Sequence, residues 1–236
     1  MKILSLIFIT ANLVFANINL EVQETSLYDT TETTAKIKIA NLQIGQSGIV
    51  TRTIDNNSII LAQAIVTQRH SNYSEIEFIS KEILPQDAIA TTLLRPENDD
   101  TFILNHLYNT SLLLVPNNKA KSIIHQLYST QNFLNEDFFA AHLKVEQSPL
   151  PSKKEIINFA QSKQIGTIFI VIKNTLYILD STSFKIIDTI TIANDDLSTN
   201  SPFFTKITDI KRGLLDFGSS KIEDYDAYYS DLLGIN

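Results

Sequence analysis

The fold is decided by residues 165–192, which read IGTIFIVIKNTLYILDSTSFKIIDTITI. The first run, Thr167–Ile172, consists of β-branched, aromatic and apolar residues, which is the pattern of a strand buried on both faces. Two turn sequences, Lys173-Asn174 and residues 180–183, divide the remainder into two more strands. The stretch therefore predicts a three-stranded β-meander whose first strand is central and covered by helices.

The segments before this stretch have helical spacing. Apolar residues recur every three or four positions in residues 119–129, which predicts a helix. A second helix is expected after Asn135 as its N-cap, with Phe138, Phe139 and Leu143 on its apolar face. A third begins at residues 151–155, where Ser152 and Glu155 have the spacing of a capping box. Together with the meander, these helices predict an α/β domain over residues 97–212.

Residues 17–96 have a β pattern. Ile37 and Ile39 alternate with lysines, and residues 73–79 alternate in the same way, as half-buried strands do. Short strands with turn signals between them are typical of a small barrel or sandwich. Residues 95–100 read as the boundary to the second domain. The predicted fold class is therefore α+β: an N-terminal small β-barrel or sandwich, followed by an α/β domain that ends in the meander.

The amino terminus resembles a secretory signal. Lys2 provides a basic start, an apolar run extends to Phe15, and Val14-Phe15-Ala16 fits the A-x-A-like pattern of a cleavage site. The run is shorter than the roughly 20 apolar residues that span a bilayer. Residues 1–16 are therefore predicted to be a signal peptide, and the mature chain to be exported to the periplasm or cell surface of a Gram-negative bacterium, with no later membrane span.

The composition narrows the possible partners. The 236 residues include no cysteine, so the fold depends on an ordinary core without disulfides. The net charge is −7, and no cluster of lysine and arginine stands out along the chain. Nucleic-acid binding requires a positive stripe that contacts phosphates, so a nucleic-acid partner is not expected.

Catalytic motifs are missing from the sequence, which contains no H-E-x-x-H, P-loop or dinucleotide-binding pattern. Residues 45–48 superficially resemble a nucleophile elbow but lack its second glycine, so they read as a turn. The pairs Asp99-Asp100 and Asp195-Asp196 read as solvated turns. We predict no catalytic, cofactor-binding or metal-binding residues. A hydrolase without a recognisable motif stays as a less favoured alternative, with His125 and His142 on neighbouring helices as its candidate site.

The last segment, residues 213–236, is acidic and aromatic. As a helix it would align Ile222, Tyr225, Tyr229 and Leu232 on one side. This side would dock either on its own domain or in the groove of a partner. If it docks on a partner, deleting residues 216–236 should abolish partner binding with little effect on stability. The candidate docking residues are Lys221, Tyr225, Tyr228, Tyr229, Leu232 and Leu233.

Several stretches in order resemble the N-terminal domain of PgbA-type plasminogen-binding proteins. These stretches are EVQETSLYD (21–29), AKIKIAN (35–41), GQSGIV (45–50), TFIL (101–104), YNTSLL (108–113), KKEI (153–156), IGTIFIVI (165–172) and PFFT (202–205). The resemblance covers about residues 20–212.

This resemblance implies a non-enzymatic surface or envelope protein that captures host plasminogen, whose kringle modules recognise lysine. Long members of the family carry an extended charged tail, whereas the present sequence ends at Asn236, so the expected lysine is internal. Lys221, with Glu223 and Asp224 beside it, is the candidate. An alternative is a structural component that assembles into a periplasmic machine, such as a flagellar motor scaffold.

Overall fold

The computed structural model describes residues 18–79, 94–211 and 221–235. The predicted signal peptide, residues 80–93 of the predicted β domain and residues 213–220 of the predicted tail lie outside these ranges. The described residues form a closed six-stranded β-barrel, a second five-stranded sheet and four helices. The α+β class and the N-terminal barrel are confirmed.

The barrel closes in the order β1–β2–β5–β4–β3–β6, and all its neighbouring strands are antiparallel. Its strands are β1 (Gln23–Tyr28), β2 (Thr34–Ile37), β3 (Ser47–Ile54), β4 (Asn57–Arg69), β5 (Ser74–Ile79) and β6 (Thr101–Leu104). The last strand lies beyond residue 96, where the sequence suggested that the β domain ends. Because β6 pairs with both β1 and β3, the barrel is complete only at Leu104.

The barrel interior is filled by the inward positions of these strands, which include Val50, Ile76 and Phe102. Gly48 allows β3 to approach β6 closely. A Cβ at Gly48 would lie 2.4 Å from the carbonyl oxygen of Ile103 and 2.6 Å from the ring of Phe102. Both distances are far below van der Waals contact, so a side chain would separate the two strands that close the barrel.

The second sheet has the order β11–β10–β9–β7–β8. Its strands are β7 (Thr110–Leu114), β8 (Asn132–Leu134), β9 (Thr167–Ile172), β10 (Thr175–Asp180) and β11 (Ile186–Thr191). Strand β7 is parallel to β8 and β9, whereas β9, β10 and β11 are successive antiparallel neighbours, so the sheet is mixed. The chain continues past β11 to a further helix, so an α/β domain that ends in the three-stranded meander is not confirmed.

Helices cover both faces of this sheet. They are α1 (Asn118–Leu127), α2 (Glu136–Val145), α3 (Lys153–Ser162) and α4 (Tyr225–Leu233). Strand β9 alternates between the two sides: Ile168, Ile170 and Ile172 pack with α2, α3 and α4, whereas Phe169 and Val171 pack with α1. The predicted Asn135 N-cap and the Ser152–Glu155 capping box are both present.

Asp180, at the end of β10, joins the sheet to the barrel. Its Oδ2 accepts hydrogen bonds from the backbone N–H of Ser47 at 3.1 Å, from the Ser47 hydroxyl, and from the Tyr108 hydroxyl at 2.7 Å. Its Oδ1 accepts from the backbone N–H groups of Thr182 and Ser183 at 2.9 and 2.6 Å. Ser47 begins β3, so one carboxylate links the start of a barrel strand to the end of a sheet strand.

Burial dominates the electrostatics of this junction. Asp180 and Tyr108 are both fully buried. Burial raises the pKa of Asp180, and the hydrogen bonds from Ser183, Ser47 and Tyr108 oppose that rise. Burial also raises the pKa of Tyr108 well above its ordinary value, and the adjacent Asp180 raises it further, so Tyr108 stays a hydrogen-bond donor. The turn predicted at residues 180–183 therefore begins with the buried side chain that connects the barrel to the sheet.

A second buried carboxylate lies in the barrel. Asp100 was expected in a solvated turn, but it is 7% exposed and accepts bonds from Arg52 Nε at 2.7 Å and Nη2 at 2.8 Å. Burial by itself would raise the pKa of Asp100, but the bonds from Arg52 and from the backbone of Glu97 outweigh burial and hold that pKa below its usual value. The expectation was wrong because Arg52 is 48 residues away in sequence.

We expect Tyr108→Phe to lower the free energy of unfolding by about 1–3 kcal/mol, the usual cost of removing one partner of a buried hydrogen bond. Tyr128→Phe is the matched control, because the Tyr128 hydroxyl is buried and has no hydrogen-bond partner among the described residues. Urea denaturation of both variants measures the difference. Equal losses in the two variants would show that the bond to Asp180 contributes nothing specific.

The Arg52–Asp100 pair predicts a pH dependence of stability. A carboxyl group whose pKa is lowered by folding stabilises the protein above its unfolded pKa, and this contribution is lost as the pH falls through the folded pKa. Arg52→Gln should therefore melt at a lower temperature than wild type at pH 7, and the difference between the two melting temperatures should shrink as the pH falls through the lowered pKa of Asp100. Arg69→Gln, at an exposed arginine of β4, is the control. A constant difference across the pH range would contradict this assignment.

Candidate functional site

Helix α4 packs on its own domain. Tyr225 and Tyr229 are buried in the core under α2 and α3. The Tyr225 hydroxyl donates to the Leu114 carbonyl at 3.2 Å, and the Tyr229 hydroxyl donates to the Pro202 carbonyl at 3.0 Å. Of the two placements that the sequence left open, the structure has the intramolecular one. The buried tyrosines would meet a partner only if α4 left its domain.

The other candidate residues of this segment differ in exposure. Tyr228 is half-buried and its hydroxyl donates to the Pro151 carbonyl at 3.1 Å, and Leu232 and Leu233 are half-buried against the same core. Lys221 is exposed. The six candidate docking residues therefore lie along one segment, but only Lys221 is exposed rather than buried or half-buried.

The turn Lys221–Asp224 is anchored at Ile222 and at Asp224. Ile222 is 4% exposed, and its backbone N–H donates to Ser201 Oγ at 3.0 Å. Asp224 caps α4 by accepting from the backbone N–H of Ala227 at 3.0 Å, and Tyr225 follows it into the core. Lys221, Glu223 and Asp224 are all exposed, so this turn presents a cation and two carboxylates on a fixed backbone.

A surface groove of about 310 Å³ lies between α2 and the end of α3. It is lined by Phe138, Ala141, His142, Val145, Phe159, Ser162 and Lys163. Phe159 is 2% exposed, and the His142 ring lies 5.3 Å from the Phe159 ring. Phe138 was expected on the buried face of α2, but it is 61% exposed, because the core takes the face of Phe139 and Leu143.

The candidate hydrolase site does not form. His125, on α1, contacts the ring of Phe133, which packs on the face of the sheet that α1 covers. His142, on α2, contacts Phe139 and Phe159 on the opposite face. The sheet thus separates the two histidines, and the hypothesis that they meet is wrong. The sequence predicted that both histidines lie on helices, but it could not predict which face of the sheet each helix covers.

Within residues 18–79, 94–211 and 221–235, no group of three or more His, Cys, Asp and Glu side chains is placed to hold a metal ion. None of the helices in those ranges is long and apolar enough to cross a membrane. The surfaces that remain are the Lys221–Asp224 turn and the α2–α3 groove.

Sequence comparisons identify relatives of this chain. The family model described as "Plasminogen-binding protein pgbA N-terminal" matches residues 19–233. The plasminogen-binding proteins PgbA of Helicobacter pylori strains 26695 and J99 are each 24% identical over 196 residues, which is 82% of this chain and 43% of theirs. The chain therefore spans less than half the length of these relatives. No solved structure matches it.

We expect Tyr229→Ala to lower the free energy of unfolding by about 3–5 kcal/mol, as large-to-small changes at buried aromatic positions do. The same packing revises the expectation for deletion of residues 216–236, which should lower the melting temperature strongly. Asp231→Ala, at an exposed position of the same helix, is the control and should change stability by less than about 0.5 kcal/mol. Similar melting temperatures for wild type and Tyr229→Ala would show that α4 does not hold the domain together.

Proposed function

Since the chain belongs to the family of plasminogen-binding protein PgbA N-terminal domains, we propose that it is a non-enzymatic binding protein of the bacterial envelope that captures plasminogen. The observation that carries this proposal is the extent of the family match, which runs from residue 19 to residue 233 and includes both the barrel and the sheet. The relatives are named as binding proteins, which favours binding over catalysis. Export through the signal-like residues 1–16 would bring the chain to its partner.

The Lys221–Asp224 turn is the proposed contact. Kringle modules recognise a lysine ammonium together with a nearby carboxylate, and this turn carries an exposed lysine with Glu223 and Asp224 beside it. A fixed backbone lowers the entropy that is lost when such a side chain is bound. The anchoring of Ile222 and Tyr225 supplies this fixed backbone. The ammonium group of Lys221 would bind to the kringle module. Glu223 and Asp224 would orient Lys221 and supply the carboxylate that the kringle recognises together with the lysine.

The test is binding of the purified chain to immobilised plasminogen, with and without the lysine analogue 6-aminohexanoate. We expect capture that the analogue abolishes, and a dissociation constant at least about tenfold weaker for Lys221→Ala, since loss of one ion pair of about 1.4 kcal/mol changes the constant tenfold. Lys154→Ala, at an exposed lysine of α3, is the matched control.

Other binding results would separate the plasminogen proposal from the assignment of the contact to Lys221. Capture that the analogue abolishes but that Lys221→Ala leaves unchanged would keep the plasminogen proposal and refute the assignment to Lys221. No capture, or capture insensitive to the analogue, would refute lysine-mediated plasminogen binding. Recovery of a bacterial envelope protein instead would favour the alternative function, a structural component of a periplasmic assembly.

A further inference from the structure

The outward face of α2 is apolar. Phe138 is 61% exposed and Val145 is 78% exposed, and the half-buried Ala141 lies between them. Positions i, i+3 and i+7 of a helix form one stripe, so the three side chains line the same side of α2. A surface helix ordinarily carries polar residues there. These exposed side chains add little to the stability of the fold, so folding alone does not account for them.

The stripe forms one wall of the α2–α3 groove. Phe159, which is almost fully buried, contributes to the lining, and its ring is 4.8 Å from that of Phe139 in the core beneath. His142 is stabilised by contacts with both rings. Because the floor belongs to the packed core, the groove exists before any partner binds. A preformed groove requires little ordering on binding.

One cationic side chain, Lys163, lies at the rim of the groove. The ionisable groups that line it are Lys163 and His142, and no carboxylate is part of its lining in the described ranges. The chain as a whole carries a net charge of −7. An apolar groove with a lysine at its rim is complementary to an apolar side-chain row with a carboxylate beside it.

We propose that the α2–α3 groove is a docking site for an amphipathic α-helix of a protein partner, with an acidic side chain that pairs with Lys163. Seven residues of helix are about 10.5 Å long, so the distance from Phe138 to Val145 along α2 matches two turns of a partner helix. That helix would place apolar side chains at i, i+3 or i+4, and i+7 in the groove. The site lies apart from the Lys221–Asp224 turn in sequence and does not depend on plasminogen binding.

A second copy of the chain fits the groove less well. A symmetric contact places the same patch of both copies face to face. Lys163 of one copy would then approach Lys163 of the other, and two chains with net negative charge would also repel each other. The charge of the groove therefore favours an acidic helix over self-association.

The test uses the purified chain as bait for a displayed library of 18-residue peptides. The library keeps one helical apolar row and varies the flanking positions among Asp, Asn and Lys. We expect enrichment of peptides with Asp beside the row, and binding at least tenfold weaker for Phe138→Glu and Val145→Glu. In Lys163→Glu the preference should reverse from Asp to Lys. Leu127→Glu, at a 56% exposed leucine of α1, is the control and should bind as wild type does.

Three results would overturn the proposal. The first is no enrichment over uncoated support. The second is binding that Phe138→Glu does not weaken, or a charge preference that Lys163→Glu does not change. The third is a wild-type dimer in sedimentation velocity that Phe138→Glu converts to a monomer, since the groove would then bind a second copy. Circular dichroism and thermal melting verify that each variant is folded, and plasminogen capture should be the same in all of them.

Discussion

The rest of the structure depends on the buried carboxylate of Asp180. Its five hydrogen-bond donors come from Ser47, Tyr108, Thr182 and Ser183, and three of them are backbone N–H groups that can only donate. A buried carboxylate is tolerated only where such donors replace its water. The donors belong to the start of β3, the connection from barrel to sheet and the turn after β10. Barrel and sheet must therefore be in register for the Asp180 side chain to keep these hydrogen bonds.

Two small residues, Gly166 and Ser181, allow the sheet to pack closely on the connection from the barrel. A Cβ at Gly166 would lie 2.4 Å from the carbonyl of Leu107, next to Tyr108 in the connection, so the start of β9 approaches that connection as closely as the backbone permits. Ser181 extends the contact, because its hydroxyl donates to the Ile165 carbonyl at 2.6 Å. With the sheet fixed on the barrel, the face that carries α2, α3 and α4 is also fixed. The exposed surfaces proposed for binding are consequences of this arrangement.

Helix caps could be predicted from the sequence, whereas contacts between residues far apart in the sequence could not. The Asn135 cap and the Ser152–Glu155 capping box depend on residues two or three positions apart, and the structure has both. Asp180 and Ser47 are 133 residues apart, so each read only as part of a turn. Nothing in the sequence indicated that β6 belongs to the barrel, because the pairing of β6 with β1 joins residues nearly eighty positions apart. Turn sequences show where the chain reverses but not what the turn meets.

The tyrosines of α4 and the exposed apolar side chains of α2 differ in what folding requires of them. Tyr225 and Tyr229 fill the core and bond to backbone carbonyls, so the stability of the domain is sufficient reason for both. Phe138 and Val145 remain in solvent, and nothing in the described fold requires large apolar side chains there. Helical spacing cannot separate these cases, because Phe138 and Phe139 are adjacent and only the position of the sheet decides which one is buried. Phe138 and Val145 lie on one helix face beside a groove, and such a group of exposed apolar side chains is a stronger indication of a partner than a single one.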